Sequence, residues 1–170
     1  MKVSVIIPSL NPDNKLVAVV DALLEEGFKD IIIVNDGSDE EHMAPFKEVA
    51  AHSECTILTH EVNKGKGRGL KTAFEFCLEN RKDIDGVVTV DGDNQHRAKD
   101  IKKCSETMVS TGNVVLGVRD FTGDDVPARS KFGNNMTSGV FKVLCRLNIS
   151  DTQTGLRAIP YKLSLIHISE

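Results

Sequence analysis

The sequence predicts an α/β fold in which a mostly parallel central sheet carries helices on both faces. Three observations predict it. Short apolar runs at residues 3–7, 31–34, 86–90 and 114–118 are nearly continuous rather than alternating, as strands buried on both faces are. Between them, apolar residues recur with a helical period. Clusters of Pro, Gly, Asn, Asp or Ser follow the runs and mark turns.

Residues 3–7 form the first predicted strand, and Pro8-Ser9-Leu10-Asn11-Pro12 stops it. Leu16, Val19, Val20, Leu23 and Leu24 then mark one buried face of a helix. A second strand, 31–34, runs into Asn35-Asp36-Gly37-Ser38. Met43, Phe46, Val49 and Ala50 predict another helix, and 56–58 a third strand. Leu70, Ala73, Phe74, Cys77 and Leu78 give the clearest amphipathic helix, entered through Asn63-Lys64-Gly65-Lys66-Gly67. The fourth strand, 86–90, runs straight into Asp91-Gly92-Asp93. Ala98, Ile101, Ser105 and Met108 predict the helix after it, and 114–118 a fifth strand followed by Arg119 and Asp120. Phe132, Met136, Val140, Val143, Leu144 and Leu147 predict a long helix with Arg129 and Lys131 at its start. Asp151-Thr152-Gln153-Thr154-Gly155-Leu156-Arg157 is polar and glycine-bearing between apolar stretches. Residues 164–170 alternate like an edge strand.

A chain of 170 residues accommodates one domain with a sizeable core. Its 21 Lys and Arg against 25 Asp and Glu leave a net charge of -4, so no general field attracts nucleic acid, and none is expected as a partner. Cys55, Cys77, Cys104 and Cys145 form no close pair and no metal-ligand spacing; they read as reduced core residues. No apolar run reaches the length of a membrane span, and Pro8 cuts the first run short of a signal sequence, which makes the expected location cytoplasmic.

A parallel sheet binds ligands beyond the carboxyl ends of its strands, where the conspicuous polar motifs fall. Asp91 and Asp93 offer the hard oxygen ligands that Mg2+ or Mn2+ takes together with phosphates, with Gln95 a further oxygen; the alternative is a solvated turn in which Asp93 or Asn94 caps the next helix. An EF-hand begun at Asp91 is excluded by His96 and Lys102. Asp36 reads either as an acceptor for a nucleobase or ribose or as part of a strong turn with a helix cap. The glycines and cations of residues 63–69 read either as a diphosphate cradle or as a mobile basic loop; Leu70 breaks a GxGxxG pattern, and no GxxxxGK[ST] is present. Arg119, Arg129 and Arg157 are surface residues or, if the substrates are phosphorylated, forks for phosphate oxygens.

In their order, Val5 to Asn11, Val34 to Ser38, Asn63 to Gly67, Asp91 to His96 and Asp151 to Arg157 resemble the family 2 glycosyltransferases of GT-A fold, and most of all the polyprenyl-phosphate and dolichyl-phosphate sugar synthases. The resemblance implies inverting transfer of a hexosyl unit from a UDP- or GDP-linked sugar to a polyprenyl or dolichyl phosphate, with Mg2+ or Mn2+. Pro8, Asn11, Asp36, Lys64, Lys66 and Asp91 would line the nucleotide; Asp91, Asp93 and Gln95 would face the metal. Arg119, Arg129, Arg157 and Asp151 would form the acceptor side, with Asp151 the general base if the acceptor were a glycan hydroxyl. A third reading is an inactive nucleotide-binding fragment. The resemblance also implies a peripheral position at the inner membrane face. Arg129, Lys131, Lys142 and Arg146 beside the apolar series from Phe132 would suit an anionic membrane surface, although a helix packed on the sheet produces the same periodicity and is the stronger reading. Residues 1–163 are expected to be the catalytic domain, incomplete at its C-terminus, with 164–170 a tail resembling a translated cloning adapter. The QxxRW motif of processive members is absent.

Overall fold

The computed structural model describes residues 1–118 and 155–164. Four strands, β1 (Val3–Ser9), β2 (Ile31–Asp36), β3 (Cys55–His60) and β4 (Gly86–Thr89), run parallel. They alternate with helices α1 (Lys15–Glu25), α2 (Ala44–Val49, preceded by a 3-10 turn at Glu40–His42), α3 (Lys66–Asn80) and α4 (Ala98–Thr111). Two further strands, β5 (Val115–Leu116) and β6 (Arg157–Pro160), complete a six-stranded sheet of order β3-β2-β1-β4-β6-β5.

β6 is antiparallel to both neighbours, so the sheet is mixed. Nothing in the sequence marked this strand. It is four residues long, begins with an exposed Arg157 and ends on Pro160, which lacks an N–H and is tolerated at a strand end. Its approach to β4 depends on Gly86, where a Cβ would stand 2.5 Å from the Ile159 carbonyl oxygen and 2.5 Å from Met108 Sδ. β5 is shorter than the expected 114–118, and Val114 and Val118 are exposed. Ser164, expected in an alternating edge strand, instead closes a helical turn, Tyr161–Ser164. The expected helix from Phe132, the membrane-facing cations Arg129, Lys131, Lys142 and Arg146, and the tail 165–170 lie outside the described residues.

The continuous apolar runs are explained by the two faces. On one, Val5, Ile7, Ile31, Ile33 and Val88 pack with Leu16, Val20 and Leu23 of α1, Phe46 of α2, and Ile101 and Met108 of α4. On the other, Ile6, Ile32, Val34 and Val87 pack with Ala73 and Cys77 of α3. Alternate residues of each strand thus enter opposite layers, and burying each such side chain contributes about 1.5–3 kcal/mol. Among the described residues, no helix is long and apolar enough to cross a membrane.

Candidate active site

At the carboxyl ends of β1 to β4 lie three adjoining clefts that share Pro8. One, of about 300 Å³, runs from Asn11 and Lys15 to Asp93. A second, of about 280 Å³, lies between Lys66, Asp91, Gly155 and Arg157. The third, also about 280 Å³, lies between Leu10, Asp36, Asn63 and Lys66.

The loops that form this rim are tied to one another. Asn11, at φ 48°, donates its backbone N–H to Ser38 Oγ (2.8 Å) and its side-chain amide to Asp39 (3.0 Å), while Asp39 N–H donates back to Asn11 Oδ1 (2.9 Å). Ser38 N–H donates to Asn35 Oδ1 at 2.9 Å, closing the turn after β2. Ser38 therefore fastens two loops rather than capping a helix. Gly37, at φ 73°, is required here: a Cβ would lie 2.4 Å from the Asn63 backbone nitrogen.

Asp36 is 3% exposed and at the centre of these ties. Its Oδ1 accepts from His60 Nδ1 (2.6 Å) and the Lys64 amide (2.9 Å), and its Oδ2 from the Gly65 amide (2.8 Å). His60 Nε2 lies 2.9 Å from Thr72 Oγ1 on α3. Burial pushes the Asp36 carboxyl upward, but the hydrogen bonds from His60, Lys64 and Gly65 outweigh it and hold the group below its ordinary value of 3.8. Lys64 thus reaches Asp36 through its backbone, not its ammonium.

Asp91 follows β4 and pairs with the Lys66 ammonium at the start of α3. Its carboxylate lies against Gly155, where a Cβ would stand 2.2 Å from Asp91 Oδ2. Thr89 Oγ1 donates to the Gly155 carbonyl at 2.9 Å, and Leu156 is buried beneath. Asp93 and Gln95 are exposed, and the Gln95 backbone N–H donates to Asp93 Oδ1 at 3.2 Å. Arg97 occupies the N-cap of α4 and no side chain caps it, so neither Asp93 nor Asn94 serves as the cap.

The acids suit a hard cation by their chemistry. Among the described residues, no three His, Cys, Asp or Glu side chains form a cation cage. Asp93 lines the first cleft and Asp91 the second, and carboxylates on adjoining clefts still fit Mg2+, which is held by one or two carboxylates plus substrate phosphates.

The structure brings together Pro8, Asn11, Asp36, Lys66, Asp91, Asp93 and Arg157 at one rim. Arg119, Arg129 and Asp151 lie outside the described residues. Sequence reasoning missed His60, Thr72 and Gly155. His60 stands two residues past an apolar run and carried no spacing signal, whereas Gly155 sat inside a motif already singled out.

Residues 4–165 match the family described as Glycosyl transferase family 2. The chain belongs to glycosyl transferase family 2. Among relatives of this family member, the UDP-N-acetylglucosamine–dolichyl-phosphate N-acetylglucosaminyltransferase of Methanococcus voltae is 29% identical over 172 residues, covering 90% of this chain and 67% of that protein. An uncharacterized protein of Methanocaldococcus jannaschii is 27% identical over 165 residues, covering 95% and 65%. The chain spans between 49% and 67% of the length of the curated relatives it matches. Among solved structures, glucosyl-3-phosphoglycerate synthase from Mycobacterium tuberculosis in complex with Mn2+, UDP-glucose and phosphoglyceric acid matches with a TM-score of 0.69 at 16% identity, covering 95% of this chain and 57% of that one. TarS of S. aureus in complex with UDP-GlcNAc matches with a TM-score of 0.66 at 18% identity, covering 98% and 47%. The family 2 chain thus has the GT-A architecture, a mixed central sheet flanked by helices.

Proposed function

We propose that this chain is the donor-binding part of an inverting glycosyltransferase that moves a hexosyl unit from a UDP- or GDP-linked sugar to a polyprenyl or dolichyl phosphate at the cytoplasmic membrane face. The observation that carries it is the meeting of Asp91, Lys66, Gly155 and Arg157 in one cleft, joined through Pro8 to a cleft bordered by Asp36. The Methanococcus voltae relative, by its name a dolichyl-phosphate transferase, supports the acceptor.

In this reading Asp36 borders the base and ribose, with the second lone pair of Oδ2 as acceptor. Asn11 and Pro8 shape the wall opposite, and Lys64 and Lys66 face the diphosphate. Asp91, Asp93 and Gln95 would hold Mg2+ or Mn2+, as the Mn2+ in the mycobacterial structure supports. Bound there, such an ion neutralises the diphosphate and the charge left on the departing nucleotide. Arg157, Arg119 and Arg129 would hold the acceptor phosphate in their guanidinium forks, and Asp151 would orient them. A phosphate monoester, whose second pKa is about 6, reaches the sugar already ionised near neutral pH, so no general base is needed.

Calorimetric titration of the chain with UDP, UDP-glucose, UDP-GlcNAc and GDP-mannose, with Mn2+ or EDTA, tests the donor site; transfer to polyprenyl phosphate tests the acceptor. Metal-dependent binding that Asp93→Ala abolishes in a folded chain is expected. If no nucleotide binds with Mn2+, or if EDTA and Asp93→Ala leave affinity unchanged, the metal-dependent reading fails.

A further inference from the structure

We propose that His60 is a positioning residue of the donor site, acting through Asp36 on the loop that presents Lys66. The inference rests on the donor-site reading above. His60 lines none of the three clefts and is 7% exposed, so it does not reach a ligand itself. It ends β3, and both of its ring nitrogens are engaged by other elements: Nδ1 by Asp36 at the end of β2 and Nε2 by Thr72 in the second turn of α3.

The partners dictate the tautomer. An ionised carboxylate only accepts, so Nδ1 carries the proton and donates to Asp36 Oδ1. In the neutral ring Nε2 then accepts from the Thr72 hydroxyl. This fixes the Asp36 carboxylate in the one orientation that receives the Lys64 and Gly65 amides. Gly65 sits at φ 86° directly ahead of α3, a conformation that side chains resist and the two amide bonds hold in place. The next residue is Lys66, whose ammonium meets Asp91. An unbroken series of polar contacts therefore runs from Thr72 through His60, Asp36 and the loop amides to the acid that follows β4.

Without His60, Asp36 loses the one side-chain donor it has among the described residues and the loop is released, whereas the apolar layers on either side of the sheet keep their packing. The test uses the whole chain and UDP in Mn2+, or GDP where the wild type prefers it. His60→Ala is expected to weaken nucleotide binding about 10- to 100-fold, the range for leaving a buried acceptor short of its partner. His60→Asn, whose amide N–H donates from nearly the place of Nδ1, should recover most of that loss. Thr72→Val should fall between the two. Hydrogen exchange at the Lys64 and Gly65 amides provides a readout without ligand: slow in the wild type and in His60→Asn, fast in His60→Ala.

A folded His60→Ala chain that binds the nucleotide within twofold of wild type overturns the inference, as does unchanged amide protection. Should His60→Ala fail to fold, the comparison of His60→Asn with Thr72→Val decides, and equal affinities with lost amide protection in both would reject the donor to Asp36 as the controlling contact. Failure of the wild type to bind any nucleotide would instead remove the donor-site reading, while amide exchange would still show whether His60 holds the loop.

Discussion

Gly155→Ala is the sharpest perturbation of the candidate site, because it adds one methyl group and moves one acid. The new Cβ would lie 2.2 Å from Asp91 Oδ2, 2.5 Å from its Cγ and 2.8 Å from Oδ1. Ordinary contact begins at 3.4 Å, so the two groups must separate by the difference, about 1.2 Å. Which of them yields is decided by what holds each. The Gly155 carbonyl accepts from Thr89 Oγ1 at 2.9 Å, the next carbonyl from the Gly117 amide at 2.9 Å, and Leu156 is buried between them. Asp91 is a partly exposed side chain, held by one flexible lysine. The acid therefore swings out and its pair with Lys66 breaks.

A displacement near 1 Å of a positioning group costs about 10²-fold in rate. The fold should hardly notice: overpacking costs about 1–3 kcal/mol, less where the displaced group can move into solvent, and replacing glycine offsets about 0.4–1 kcal/mol through the unfolded chain. The assay is calorimetric binding of UDP and Mn2+ beside a thermal melt. Loss of metal-dependent binding with a melting temperature within a few degrees of wild type is expected. Unchanged Mn2+ and UDP affinity in a folded Gly155→Ala chain would refute the placement of Asp91 in the metal-facing site.

Three further outcomes follow from the described contacts. Because the Asp36 carboxyl is held below 3.8 in the folded chain, its stabilisation is complete above that pH and is lost as pH falls through the lowered value; the acid limb of a stability–pH curve should flatten in Asp36→Asn, and parallel limbs would contradict this. Burial pushes the Cys77 and Cys55 thiols up to about 11, with Asp30 adding to it at Cys77 and Glu54 at Cys55, so iodoacetamide should label both in the native chain far more slowly than in urea. Gly37→Ala meets backbone at 2.4 Å in a left-handed conformation and should cost at least about 1–3 kcal/mol in urea denaturation, while a neutral effect would show that the turn after β2 can relax.

The layers were legible because burial on both faces writes itself as continuous Val and Ile. Residues 31–34 and 86–90 could hardly read otherwise, and the polar clusters that end them located the rim. What stayed hidden depends on contacts between distant residues. Asp36 looked like a ligand-facing acid or a turn residue, and its commitment to His60 and to the Lys64 and Gly65 amides spans 24 to 29 positions. Lys66 and Asp91 both stood out, but no local pattern pairs them. The capping alternative for Asp93 stood open until α4 began at Ala98 with Arg97 before it. β6 was invisible because four residues, one of them proline, carry neither a helical nor a strand period.

That unread strand is what completes the site. In a parallel sheet, each strand delivers only its last residues to the carboxyl rim, so chain that follows β5 would enter a parallel sixth strand from the far end. β6 runs the other way. Its register sets Arg157 beside Thr89 and Pro160 beside Gly86, so its first residues stand at the rim and its last at the opposite edge. Gly155 and Arg157 thereby arrive at Asp91 from 64 and 66 positions along the chain. The close fit demands glycine at both ends of the contact, Gly86 under the Ile159 carbonyl and Gly155 under the Asp91 carboxylate. Reversing one strand thus turns a rim built by the loops after β1 to β4 into a cleft with a second wall, and if the proposed donor site is right, that wall is where the acceptor meets the sugar.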